Sequence, residues 1–238
     1  MKILLLGDYS SLHFNLYKGL KFLNHEVELA SNGDYDRNLF RTYDLRQYKV
    51  YKNLLLDGVS RLKMEYDYVN ALGDYDVIQI INPRILSAYH PFNLYSKLRK
   101  KAKKLILISA GLDKAYLDNR PKHFDYYYDF SDQRSKWAIK KEEHLLSIVD
   151  GVISTSYTYK KVYEENPKFI ENIPFPIIID SKVKFLENKK NLLFYHGNSE
   201  SRYLEKGSSF IQASFDHLRK IHQGTHQFVF ANQIPYDN

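Results

Sequence analysis

Met1–Ala30, MKILLLGDYSSLHFNLYKGLKFLNHEVELA, holds an apolar run at Lys2–Leu6, a short turn at Gly7–Ser11, leucines at 12, 16, 20 and 23, and a briefly alternating run at Glu26–Ala30. A short apolar run without polar alternation suits a strand buried on both faces, and leucines at three- and four-residue spacing fill one helix face. Ser10 or Ser11 is placed to cap that helix. Strand, tight turn, amphipathic helix and strand make a βαβ unit, whose crossover is right-handed.

The fold class predicted from this unit is α/β, a Rossmann-like doubly wound parallel sheet. Its turn, Gly7-Asp8-Tyr9-Ser10-Ser11, contains a single glycine, so the close backbone approach of a dinucleotide pyrophosphate is missing and NAD and FAD are disfavoured. Ligands of such sheets sit beyond the carboxyl ends of the strands, which places Asp8, Tyr9, His13 and Asn15 along a cleft. The plainer alternatives are a helix-surface His13 and an ordinary turn aspartate at position 8.

Further along, helical spacing predicts helices over Leu54–Leu72 (Leu55, Val59, Leu62, Tyr66 and Val69 apolar), Tyr89–Lys103 and Ser135–Val149, and one capped by Thr155 or Ser156 that runs to Tyr163. Strands are expected at Asp76–Ile81, Leu105–Ser109 and Val152–Ser154. Asn32–Lys52 reads as a long polar excursion with a short strand at Lys49–Tyr51, and Tyr116–Arg134 as irregular and aromatic.

The chain has 238 residues and no cysteine, which excludes disulfides, thiolate zinc sites and cysteine nucleophiles and fits a cytoplasmic setting. No apolar run approaches the roughly 20 residues that span a bilayer. The net charge of +7 favours anionic partners. Lys97, Arg99, Lys100, Lys101, Lys103 and Lys104 form the densest basic run, a candidate contact for an anionic membrane surface, the plainer alternative being a solvated helix face. No RNP-like or helix-turn-helix pattern is present, so nucleic acid is not an expected partner. The histidines are scattered, no metal-ligand cluster is evident, and no resident cofactor is expected. The oligomeric state stays open.

Asn191–Leu218, NLLFYHGNSESRYLEKGSSFIQASFDHL, reads as a second strand, loop and helix: Leu192–Tyr195 apolar, His196–Gly207 polar, then Phe210, Ile211, Phe215 and Leu218 at helical spacing. Such a loop aims the N–H groups of a helix N-terminus above the strand's carboxyl end, and Arg202 and Lys206 add two cations, which suits a phosphate or diphosphate. The spacing matches neither a P-loop nor GxGxxG.

A strand ending in Tyr195-His196-Gly197, followed by Lys206-Gly207-Ser208 and an amphipathic helix, resembles the start of the donor-binding domain of two-domain GT-B glycosyltransferases, the retaining group 1 family in particular. Asp76–Ile81 resembles that family's D-V-(V/I)-H-x-H segment with glutamine at 79. Ile173-Pro174-Phe175-Pro176 through Asp180 resembles its hinge. The resemblance implies an acceptor-side domain over 1–180, a linker over 181–190, and the start of a donor-binding domain over 191–238, with Gln227–Ala231 as its second strand. The family's later segments, including its E-x7-E region, find no counterpart before Asn238.

By this resemblance Arg202, Lys206, Gly207, Gly197 and Asn198 hold the diphosphate of a nucleotide-sugar donor, Asp113 is the catalytic candidate, and Asp8, Tyr9, His13 and Asn15 face acceptor or donor. The implied activity is sugar transfer from a nucleotide sugar to a saccharide or lipid-linked acceptor, at the inner membrane surface or in the cytoplasm, with little or no transfer expected from these residues alone. A non-catalytic carbohydrate- or membrane-binding half-enzyme is the competing class. A nucleotide-sugar epimerase is a third, and it needs an acid/base pair that the sequence does not reveal. Phe210, Phe215 and Phe228 are expected to be poorly packed.

Overall fold

The computed structural model of the chain describes residues 1–33, 38–45, 54–87, 90–111, 113–124, 135–178, 192–198, 203, 206–222 and 226–232. The chain divides into two compact units, the first lying within 1–178 and the second carrying all the described residues from Leu192 onward.

Unit 1 runs β1 (Lys2–Leu6), α1 (Leu12–Phe22), β2 (Glu26–Ser31), β3 (Tyr43–Asp44), α2 (Leu54–Ala71), β4 (Tyr75–Ile81), α3 (Leu94–Lys100), β5 (Ala102–Ser109), α4 (Lys114–His123), α5 (Lys136–Ile148), β6 (Gly151–Ser154), α6 (Tyr157–Tyr163) and β7 (Phe169–Asn172). The seven strands are parallel and ordered β3-β2-β1-β4-β5-β6-β7, the doubly wound order with its reversal between β1 and β4. Register explains the two layers. Leu4 pairs with Ile78 and Leu6 with Ile80, and these point to the face packed by Val69, Leu98 and Leu145 of α2, α3 and α5. Ile3 and Leu5, with Val27 and Leu29, point to the opposite face, under Phe14, Leu16 and Leu20 of α1. Strands apolar at every position are what a parallel sheet covered on both faces requires.

Gly7 turns the chain out of β1 at φ +87°, and a Cβ there would lie 2.6 Å from the Ile81 side chain, so both conformation and space demand glycine.

Several elements differ from expectation. Helix α2 forms over the predicted span, and of its expected apolar face Val69 is buried as expected, but Leu55 and Val59 are 74% and 58% exposed, whereas Asp57, Glu65 and Tyr68 are buried. The inward polar stripe is satisfied by specific bonds. Arg61 Nε donates to Glu65 Oε1 at 2.9 Å, and the Ser87 N–H donates to Glu65 Oε2 at 2.8 Å. The helix expected through Lys103 stops at Lys100, because Ala102–Lys104 is taken up by β5, pairing with β4. The basic run is therefore split between helix, turn and strand. Residues 114–123, read as partly irregular, form α4 because Asp113 caps it; Pro121 falls in its last turn, and Phe124 takes an extended conformation just beyond. Strand β7 follows α6 where no strand was predicted, pairing with β6 through a register shift between Val152 and Ile153. The short strand expected at Lys49–Tyr51 and the linker 181–190 lie outside the described residues.

Unit 2 runs β8 (Leu193–Asn198), α7 (Ser208–Ile221) and β9 (Gln227–Asn232), with β8 and β9 parallel in register from Leu193↔Gln227 to Asn198↔Asn232. Phe194 and Phe228 stack at 5.0 Å, and Phe215 of α7 packs on Phe228 at 5.4 Å and is buried. Of the three phenylalanines expected to pack poorly, Phe210 is 78% exposed, whereas Phe215 and Phe228 pack against each other, and Phe228 against Phe194, because α7 covers this face of the sheet. The opposite sheet face, bearing Leu193, Tyr195 and Val229, is exposed.

Candidate functional site

The carboxyl edge of the unit 1 sheet gathers most of the backbone strain among the described residues. Gly7, Ser10, Ser11, Asn82 and Gly111 all have positive φ and all follow β1, β4 or β5. Such conformations persist where surrounding bonds over-determine them, and they mark candidate sites. At Asn82 the bonds are explicit: Nδ2 donates to Ala110 O at 2.6 Å, Oδ1 accepts from Arg84 N at 2.9 Å, and the backbone N–H donates to Ile108 O at 3.1 Å. The Gly111 N–H donates to Tyr159 Oη at 2.7 Å, and a Cβ at Gly111 would lie 3.0 Å from Asn82 Nδ2. The loops after β4 and β5 are thus fastened to each other.

Of the four residues expected along the cleft, Asp8 and His13 are buried and joined. Asp8 Oδ1 accepts from the His13 N–H at 2.9 Å and Oδ2 from the Phe14 N–H at 3.3 Å. His13 Nδ1 lies 2.6 Å from Gly7 O and Nε2 lies 3.2 Å from Gln79 Nε2. Gly7 O can only accept, so Nδ1 carries the proton and Nε2 accepts from the Gln79 amide. Burial pushes the His13 pKa down to about 4, with the Gly7 bond opposing, so the ring is neutral at pH 7. Gln79, which stands where the resembling family often has histidine, meets the Nε2 that the Gly7 carbonyl leaves as acceptor. The surface-exposed alternative for His13 is not what the structure shows. Tyr9 is half-buried against Leu12, Ile81, Ile108 and Ala110, and Asn15 is half-buried on α1.

Asp113 is 1% exposed, and its bonds are those of a helix cap. Oδ1 accepts from the Tyr116 N–H at 2.8 Å and from Tyr163 Oη at 2.6 Å, while Glu142 Oε2 accepts from the Lys114 N–H at 2.7 Å. Burial, and then the Asp113 charge, push the Tyr163 phenol far above its ordinary range, so it stays protonated and donates. Asp113, Glu142, Asn119, Tyr163 and Pro83 line a cavity of about 220 Å³ beside α4. Glu142 and Tyr163 carry no sequence signal of this kind; they sit among ordinary helical residues and meet Asp113 only through the fold.

The basic run is largely engaged within unit 1. Lys97 Nζ stands 4.2 Å from the Tyr66 ring and donates to Asn70 Oδ1. Arg99 pairs with Asp150 at 3.2 Å, Lys101 donates to Leu72 O, and Lys103 pairs with Asp76 at 2.6 Å. Lys100 and Lys104 are exposed. No helix among the described residues is long and apolar enough to cross a membrane, and no group of three or more histidines or carboxylates among them could hold a metal ion.

In unit 2, Gly197 and Asn198 end β8, and Gly207 caps α7 in the left-handed conformation, φ +60°, with no side-chain cap bond. Lys206 beside it is exposed. Ser208, buried, hydrogen-bonds through Oγ to His196 Nε2 at 2.9 Å, tying the helix start to the strand end, and its N–H donates to Tyr203 O at 3.0 Å. Arg202 and the side chain of Asn198 lie outside the described residues. The sequence singled out Lys206-Gly207 but not the His196–Ser208 pair that positions it.

No protein-family model matches the chain, and no curated protein does. Among solved structures, a protein assigned as a UDP-N-acetylglucosamine 2-epimerase from Listeria monocytogenes matches 99% of the chain at a TM-score of 0.51 and 12% identity. A UDP-N-acetylglucosamine 2-epimerase from Rickettsia bellii matches 97% of the chain and 69% of its own length, with a TM-score of 0.45 and 14% identity. The chain spans 63% of the length of the Listeria protein. At this identity the likeness is one of fold, a Rossmann-like α/β fold of the GT-B kind.

Proposed function

We propose that the chain belongs to an enzyme acting on nucleotide sugars, with unit 2 holding the diphosphate and the reaction being transfer of the sugar to a saccharide or lipid-linked acceptor. The observation that carries this reading is the start of α7: exposed Lys206, then left-handed Gly207, opening a helix at the carboxyl end of a parallel strand. A phosphate oxygen bound there takes the place of the Tyr203 carbonyl at the Ser208 N–H, beside the Lys206 ammonium. Gly197 and Asn198 supply the facing strand end, and Arg202 a second cation. The leaving group of such a transfer is a nucleoside diphosphate, so donors aimed at its developing charge supply the main catalytic effect, each worth about 3 kcal/mol. The fold shared with a UDP-N-acetylglucosamine 2-epimerase supports a nucleotide-sugar ligand and favours a second reading, epimerisation of the sugar.

Calorimetric titration of the chain with UDP and UDP-N-acetylglucosamine tests the binding step. Lys206→Ala is expected to weaken both by about tenfold or more, the loss of one charge-assisted contact. Equal affinity in the two proteins overturns the assignment, and saccharide binding without any nucleotide affinity identifies the non-catalytic class. The two reactions separate by NMR of the sugar: epimerisation inverts a ring carbon with the nucleotide attached, whereas transfer releases UDP only when an acceptor is present.

A further inference from the structure

The chain leaves β2 at Ser31 and enters β3 at Tyr43, and the described part of the connection lies at the carboxyl end of β2, the side on which parallel sheets take their ligands. It is fastened at Thr42 and Leu39. The Thr42 N–H donates to Leu29 O at 2.8 Å, Thr42 Oγ1 accepts from the Leu29 N–H at 2.8 Å, and the Leu39 N–H donates to Gly33 O at 2.9 Å. Asn38, Leu39, Phe40, Arg41, Thr42 and Asp44 line a recess of about 330 Å³. That is the lower end of the roughly 300–1,000 Å³ range of small-molecule sites.

Arg41 is the fixed point of this recess, its side chain only 10% exposed. Nη1 donates to Leu39 O at 2.6 Å and Nη2 to Asp44 Oδ2 at 2.6 Å, and both reach Asn38 Oδ1 at 3.3 Å. Gly33, at φ +69°, leaves the space that Nη1 fills, since a Cβ there would run into it. A guanidinium has five N–H donors. These bonds use four, and the fifth, on Nε, is buried and has no hydrogen-bond partner among the described residues. Buried donors are nearly always paired, so a spare one on a side chain held firmly in the wall of a recess points to a ligand atom. Phe40, next in the wall, is 47% exposed, with its ring against Phe14 at 5.3 Å and Tyr17 at 5.4 Å. Contact with α1 holds the ring and leaves nearly half of it open. Because Asp44 pairs with Arg41 at 2.6 Å, a phosphate or carboxylate entering here meets a carboxylate as well as a cation. A neutral molecule with oxygen acceptors and an apolar face suits these walls, and a sugar ring is such a molecule.

We propose that the β2–β3 recess is a saccharide subsite, in which a sugar ring lies with its C–H face on Phe40 and one of its oxygens accepts from Arg41 Nε. The site is confined to unit 1 and goes beyond the diphosphate reading of unit 2. A saccharide acceptor gives it a use in that reading, but its existence does not rest on Lys206.

The test is a titration of the wild-type chain with glucose, N-acetylglucosamine and N,N′-diacetylchitobiose, followed through the backbone amide resonances and the Arg41 Nε–H resonance, with inorganic phosphate as the anionic comparison. At least one saccharide is expected to give saturable shifts at Phe40, Thr42 and Arg41 Nε–H, and phosphate none there. Phe40→Ala is expected to weaken that binding about tenfold or more. Phe40→Leu keeps an apolar contact with α1, and so the fold, while removing the aromatic face, and is expected to lose a similar factor. Arg41→Lys keeps a cation beside Asp44 but not the fifth donor, and is expected to weaken the same saccharide. The absence of a saturable response to all three saccharides overturns the proposal, as does unchanged affinity in both Phe40 variants or tighter binding of phosphate than of sugar at Arg41. Lys206→Ala is expected to leave these shifts unchanged, so failure of nucleotide binding in unit 2 and failure of saccharide binding here are read separately.

Discussion

A neutral, buried His13 makes stability depend on pH in a definite direction. The ring titrates near 4 when folded and near 6.5 when unfolded, so between these values the unfolded chain binds the extra proton. The contribution is complete above about pH 6.5 and is lost as pH falls through about 4, amounting to about 3 kcal/mol over that interval. Urea unfolding at a series of pH values is expected to show this loss, and His13→Gln to flatten it; the same slope in both proteins would dismiss the assignment. Asp113 makes a second residue-level prediction. Replacing it by alanine removes a helix cap and leaves the buried Tyr163 hydroxyl without its acceptor, which costs roughly 2–4 kcal/mol. Unfolding free energies within about 0.5 kcal/mol of each other would refute the capping role. Neither effect could be read from residue type alone. A histidine one position into a helix looks exposed by spacing, and an aspartate before a helix looks the same whether it caps or catalyses.

Helix α2 shows where periodicity is informative and where it is not. The spacing of Leu55, Val59, Leu62, Tyr66 and Val69 located the helix correctly, because any apolar stripe at that period favours helical structure. It identified the buried side toward the C-terminal end, where Val69 is buried and Leu62 and Tyr66 half-buried, but not in the first turns, where Leu55 and Val59 are exposed. The inward stripe carries Glu65, which holds Arg61 and the Ser87 N–H, and the loop after β4 receives further support where Lys141 Nζ donates to His90 O. Val59→Lys is therefore expected to change stability by less than about 0.5 kcal/mol, whereas Glu65→Ala costs roughly 2–3 kcal/mol, less than a fully buried pair because Arg61 is partly exposed. A larger loss from Val59→Lys than from Glu65→Ala in urea denaturation would invert this account. The same logic applies to α3, where charge density marked a basic run but strand pairing by β5 divided it.

Across the molecule, the two units differ in how completely their sheets are covered. Unit 1 encloses β1, β4 and β5 between helices, and Leu4, Leu5, Leu6, Ile78, Ile80 and Leu105 have no exposed surface. Unit 2 covers one face of a two-stranded sheet and exposes Leu193, Tyr195 and Val229 on the other. Local opening is easiest where few apolar contacts close over the backbone. Hydrogen exchange is expected to be slowest at Leu4–Leu6, Ile78–Ile81 and Leu105–Ile108 and much faster along β8 and β9. Equal protection in the two units would show that unit 2 is closed over by something else.

Taken alone, the sequence determined the α/β class, the first βαβ unit, the opening of a second and the position of Lys206-Gly207 before a helix, because these depend on local periodicity and on turn chemistry encoded in neighbouring residues. Only the tertiary structure decided that Asp8 caps the first helix, that burial keeps His13 neutral between Gly7 and Gln79, that Tyr163 and Glu142 meet at the Asp113 end of α4, and that α2 turns Asp57 and Glu65 inward. Each of these rests on partners from separate elements, such as Gln79 lying 66 residues beyond His13. Local spacing does not specify which distant side chains the strand order and register will bring within hydrogen-bonding distance, nor which side of a helix that order will bury.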